Sequence, residues 1–186
     1  MTRGRWVALI VLVAAVLFIV RPKQFSQLPR SRDLSQLAEL EEILSSRNDN
    51  DPRLDRDFIG LSPDAKRLLR AKYRSTPRER LNERGTIVYL LGKNLTEPAD
   101  WAFILEVASE PPCLSLSDCS KRSGAAGALG DEVTLAYPSL VALRQAARGG
   151  SRDEARKVLA AGKASKSRAV ARLAASLDVG FDTTSR

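Results

Sequence analysis

Residues 62–109, SPDAKRLLRAKYRSTPRERLNERGTIVYLLGKNLTEPADWAFILEVAS, decide the class of the fold. Ser62-Pro63-Asp64 places a hydroxyl N-cap before a proline at the first helical position, so a helix should run from there to about Arg74. Thr76-Pro77 repeats the device, and Glu79 stands three residues after Thr76 as in a capping box. That second helix should reach Leu91, with Gly92 as its stop. Pro98 opens a third helix through Ser109. It carries Trp101, Phe103, Ile104, Leu105 and Val107, apolar on nearly every side, and this places it at the centre of the core.

Outward from this stretch the helical signals continue. Residues 110–130 break them with Pro111, Pro112, two cysteines and three glycines, and read as a loop insertion. Helices resume at Asp131, with Pro138 kinking or dividing the segment, and stop at Gly149-Gly150. Ser151 and Glu154 form another capping box for a helix to about Ala161. A last helix starts at Ser165 or Ser167 and runs to about Leu177, leaving 179–186 as a polar tail. On the other side, residues 33–46 place Leu34, Leu37, Leu40, Ile43 and Leu44 at helical spacing opposite Glu39, Glu41 and Glu42. This amphipathic helix packs on the body or pairs with a second copy. Residues 47–57, RNDNDPRLDRD, follow as a polar loop. Its aspartates do not form a calcium loop, because the sixth position from Asp49 is Leu54 and the twelfth is Gly60. No segment alternates as a strand does, so the expected class is all-α, with a helical domain over 58–178.

Residues 6–20, WVALIVLVAAVLFIV, are apolar without a break between Arg3 and Arg5 on one side and Arg21 and Lys23 on the other. As a helix the run spans about 22 Å, short against a hydrocarbon core of about 30 Å. Snorkelling basic flanks and Trp6 at the interface make up the difference. No small-residue cleavage site follows, so residues 1–20 are expected to be an uncleaved single-pass anchor, with 21–32 as the linker. The alternatives are a cleaved signal or a buried core helix. The short basic head predicts a bacterial inner-membrane protein with its body in the periplasm. The basic flank at Arg21, Lys23, Arg30 and Arg32 argues the other way.

The net charge of +8 is unevenly spread. Residues 1–32 hold six basic side chains and no acid, while 33–186 are only +2. Within the body, 33–61 are net −5, 62–84 net +5, 85–143 net −4 and 144–172 net +7. Such blocks suit helices that neutralise one another, or a basic patch facing an anionic partner; the first is Lys66, Arg67, Arg70, Lys72, Arg74, Arg78 and Arg80. Few aromatics other than Tyr73 lie among these residues to stack on bases, and nucleic acid is not an expected partner.

The chain has no His, which removes Ser-His-Asp and Cys-His catalysis and imidazole metal sites. No Ser stands three residues before a Lys, and Gly124–Gly130, GAAGALG, lacks the Lys-Ser or Lys-Thr of a phosphate loop. Asn94-Leu95-Thr96 matches a glycosylation sequon. Cys113 and Cys119 cannot make a zinc site on their own. With five residues between them they can close a disulfide in an oxidising compartment, or remain as two thiols.

Arg84 with Leu90, Leu91 and Gly92, then Ala142 with Leu143, then Arg168 with Ala171, Ala174 and Leu177 resemble the second helices of HEAT-like repeats. The resemblance covers about residues 76–178. The Asp that precedes the Arg in that family is replaced by Glu83 and Ser167. It implies a binding or scaffolding surface without an active site; an irregular helical bundle is the other reading. The expected protein is therefore a membrane-anchored, non-enzymatic adaptor that binds a protein partner, with no cofactor, metal or small-molecule substrate. The alternatives are a subunit of an envelope enzyme whose site a partner completes, and a domain that lies on anionic lipid through its basic helices.

Overall fold

The computed structural model describes residues 30–116, 118–120 and 129–183. Among them all regular structure is helical: α1 (Ser31–Ser46), α2 (Arg53–Arg56), α3 (Pro63–Ser75), α4 (Leu81–Gly92), α5 (Pro98–Ala108), α6 (Leu129–Leu135), α7 (Tyr137–Arg148), α8 (Arg152–Lys163) and α9 (Arg168–Thr183). No helix among the described residues is long and apolar enough to cross a membrane. The apolar run 6–20 lies outside them.

The helices pair and stack. α3 packs on α4, α5 on α7, and α8 on α9. The first members form one layer: α3 meets α5 through side-chain ion pairs, and α5 meets α8. The second members form the other layer, in which α7 lies between α4 and α9. α1 covers α3 with Leu40, Ile43 and Leu44, while Leu34 at its start remains exposed.

The centre of the core is α4, not α5. Nine of the twelve α4 residues are buried, among them Ile87, Val88, Leu90 and Leu91, because α3, α5 and α7 all pack against it. α5 buries Trp101, Phe103, Ile104 and Val107 but leaves Leu105 only partly covered, since one of its sides faces solvent with Ala102 and Glu106. α4 lies close to α7 because it has glycine at two crossings. A Cβ on Gly85 would come within 2.2 Å of the Tyr137 ring, and one on Gly92 within 2.4 Å of Gln145 Cγ. Gly92 thus serves packing: it is the last residue of α4, Lys93 is the C-cap, and Gly92 does not take the left-handed conformation of a stop glycine.

Several boundaries differ from the sequence expectation. α4 begins at Leu81, four residues after Pro77. Thr76 closes α3 instead of opening α4: its N–H and its hydroxyl both donate to the Lys72 carbonyl. Glu79, the expected capping-box acid, instead accepts the Cys119 N–H at 2.9 Å. α1 begins at Ser31, inside the expected linker, because the Asp33 carboxylate accepts the Arg30 N–H at 3.1 Å and caps the first turn. α9 continues through Asp178 to Thr183, so most of the expected tail is helix; Asp178 there pairs with Lys163 of α8. The start of α3 agrees with its signal: Ser62 Oγ accepts the Ala65 N–H at 3.0 Å and donates to Asp33 Oδ1 at 2.7 Å. One hydroxyl therefore joins the starts of α1 and α3. Ser167 caps α9 through the Val170 N–H, and Ala136 separates α6 from α7 just before Pro138.

Candidate functional site

Two buried ionic clusters hold the α3–α5 layer together. In the first, Asp100 Oδ2 accepts from Lys66 Nζ at 2.6 Å and from the Thr96 and Glu97 N–H groups at 3.0 Å, while Oδ1 accepts from Arg70 at 2.9 Å. Lys66 also donates to Thr96 Oγ1 at 2.7 Å. The Lys66 and Asp100 side chains are 2% and 1% exposed. Burial pushes the Asp100 carboxyl up, but Lys66 and the two backbone donors outweigh it and hold the group below the usual carboxylate range. Asp100 thus stays ionised at neutral pH with its acceptor capacity used, which leaves it no acid–base role.

In the second cluster, Arg84 of α4 grips both Glu110 oxygens at 2.7 and 2.8 Å and donates to the Tyr73 and Thr76 carbonyls at the end of α3. A cation at a helix C-terminus is favourable. Burial, then the Glu110 charge, pushes the Tyr73 phenol well above its ordinary range. The cleft beside it, lined by Arg78, Glu110, Pro112 and Ser165, encloses ≈ 20 Å³, room for about one water. Tyr73 itself is fully buried and offers no face to a nucleic-acid base.

The expected basic patch does not form a free cationic surface. Lys66 and Arg70 pair with Asp100, Arg67 with Asp64, Lys72 with Glu41, Arg74 with Glu106 and Arg80 with Glu83, and Arg78 donates to the Pro111 carbonyl. The positive block 62–84 is neutralised in part by its own Asp64 and Glu83 and in part by acids on either side of it, Glu41, Asp100 and Glu106. Asn94 of the sequon is buried; both its N–H donors go to the Phe58 and Leu90 carbonyls at 2.8 Å. The aspartates after α1 face Arg53, Lys93 and Arg56, and no group of potential metal ligands occurs among the described residues.

Cys113 and Cys119 are joined by a disulfide. The bridged loop sits on the turn between α3 and α4, held by Glu79 at the Cys119 N–H and by Arg78 at the Pro111 carbonyl. It forms one wall of a surface groove of ≈ 360 Å³. Leu44 and Leu81 provide its apolar floor and Leu116 of the loop, 54% exposed, its apolar rim; Arg47, Asp49, Glu79, Arg80 and Glu83 supply charge around it. A second hollow of ≈ 300 Å³, lined by Asp51, Asp55, Thr86 and Tyr89, adjoins it at Asp49. Arg47 ends α1 in the left-handed conformation, φ 55°, and its guanidinium has no ion-pair partner among the described residues. Sequence reading singled out neither Arg47 nor Leu116, since no periodicity marks a groove that three distant segments enclose.

The described fold and groove define an all-helical protein with a solvent-open cleft and with its buried charges committed to one another. No protein-family model, curated protein or solved structure matches the chain.

Proposed function

We propose that the chain is a membrane-tethered, non-enzymatic adaptor that takes a segment of a partner protein into the groove between Arg47, Asn82 and Leu116. The observation that carries this reading is the groove's make-up: an apolar floor, an exposed leucine rim and the unpaired cation Arg47 at its mouth. Sites that capture side chains of a partner have this composition. The left-handed Arg47 supports it further, because backbone strain of this kind gathers at functional positions. The tether is the apolar run 6–20. A periplasmic body fits the Cys113–Cys119 bridge, which persists in oxidising compartments. The stacked helix pairs offer broad exposed surfaces, as a helical repeat would. The committed state of Asp100, Glu110 and Lys66 favours the adaptor over an enzyme subunit.

The test is the size of the native assembly. Membranes solubilised in mild detergent should release the wild-type chain in a complex larger than the 20.3 kDa chain in its micelle. Leu116→Glu should return it to the free size. A chain that is already free, or a complex indifferent to this substitution, contradicts the reading.

A further inference from the structure

The two positive blocks of the sequence have opposite fates. Every cation of the expected patch in 62–84 has a partner, as described above. In 144–172, net +7 with nine basic and two acidic residues, the pairing fails. Lys157 pairs with Glu154 and Lys163 with Asp178. Arg144 and Arg148 of α7, Arg156 of α8, Lys166 before α9 and Arg172 of α9 are all exposed and have no ion pair among the described residues. The three helices pack on one another, with Gly162 against Leu143 and Ala174, so these cations are carried by the exposed faces of three mutually packed helices in the C-terminal half of the stack. The end of a stacked helical array needs a polar outer surface, but polarity alone does not call for one sign of charge.

We infer that the α7–α9 end docks on an anionic lipid bilayer, the one into which the chain is tethered. This inference rests on the tether of the proposed function but not on the groove. Residues 21–30 reach at most about 35 Å when fully extended, which keeps the body beside the headgroups. Each cation at an anionic surface raises the partition about fivefold, and the effect fades within a Debye length of about 8 Å. Single-stranded nucleic acid is disfavoured because the basic faces present no described aromatic side chain for stacking. A second copy is disfavoured because most acids at the opposite end are already taken: Glu41 by Lys72, Glu42 and Asp51 by Arg53, Asp55 by Lys93.

The experiment reconstitutes the full chain in vesicles of phosphatidylcholine, with or without phosphatidylglycerol, and reads arginine modification by phenylglyoxal and lysine acetylation by mass spectrometry. Arg144, Arg148, Arg156, Arg172 and Lys166 should react several-fold more slowly on anionic vesicles, and high salt should restore their rates. Arg47, exposed and unpaired at the groove, is the internal control and should not change. A variant combining Arg144→Gln, Arg148→Gln, Arg156→Gln and Arg172→Gln should return Lys166 to its neutral-vesicle rate; these side chains are exposed, so the fold is retained. Equal rates on both lipids would overturn the inference. So would slowing that already occurs on neutral vesicles and grows with chain density, which identifies self-association instead. Flotation of the chain with neutral vesicles in high salt reads the tether separately, so its failure is distinguishable from failure of docking.

Discussion

The guanidinium carbon of Arg84 stands 3.8 Å from the centroid of the Tyr73 ring, and both side chains end on the Glu110 carboxylate. This contact joins α3, α4 and the residue that leaves α5. Tyr73 in turn meets Phe103 edge to face, with ring centroids 5.1 Å apart. Arg84→Met should therefore destabilise the fold by about 3 kcal/mol: it strands two carbonyls of α3 and leaves Glu110 without its cation. Urea unfolding checks it, and a midpoint within error of wild type would show the cluster to be ornamental.

The Asp100 cluster predicts an acid-sensitive contribution. The folded carboxyl titrates below the ordinary aspartate value of about 3.8, so its stabilisation is fully present above that pH and is lost as pH falls through the folded value. Asp100→Asn should cost about 3–5 kcal/mol at neutral pH, because it leaves Lys66 buried without a counter-charge. The gap between wild type and variant should shrink as pH falls below about 3.8. A gap that stays constant down the acid limb would mean that the ion pair contributes nothing.

Helix class was legible because proline, hydroxyl caps and apolar spacing act locally. Ser62-Pro63, Glu97-Pro98 and Ser151 each open a helix where the pattern places one. Thr76-Pro77 carries the same signal and fails, since what decides there is non-local: Thr76 turns back to α3, and Glu79 is drawn to the Cys119 amide forty residues away. The same limit hid the true centre of the core. α5 is the more apolar sequence, but α4 is surrounded, and its Arg84, Gly85 and Thr86 are buried although they look like surface residues. Charge blocks were visible as blocks. Which one is neutralised depends on the stacking of α1, α3 and α5, which no spacing encodes. The groove was invisible for that reason too.

The corrected burial of α5 gives a paired prediction. Ile104→Ala, at a fully buried site, should cost about 2–5 kcal/mol, and Leu105→Ala distinctly less, because part of Leu105 already faces water. Equilibrium denaturation of both variants checks the order. The reverse order would place the solvent-facing side of α5 wrongly.

Arg47 should show a trade between stability and binding. Its left-handed backbone suits glycine, so Arg47→Gly should stabilise the chain by about 1 kcal/mol. The same change removes the guanidinium from the groove mouth and should shrink the population of the assembly in solubilised membranes. Gain of stability with the assembly intact would reduce Arg47 to a helix terminator.

The most direct measurement is photo-crosslinking in intact membranes from a reactive residue placed at Asn82, which lines the groove and is exposed, with a control at Ile59, which is exposed and does not line it. The account predicts one adduct of defined mass from position 82. That adduct should disappear when Leu116→Glu is added, and none should form from position 59. Equal adducts from both positions, or an adduct at 82 that survives Leu116→Glu, would contradict the assignment of the groove as the partner site.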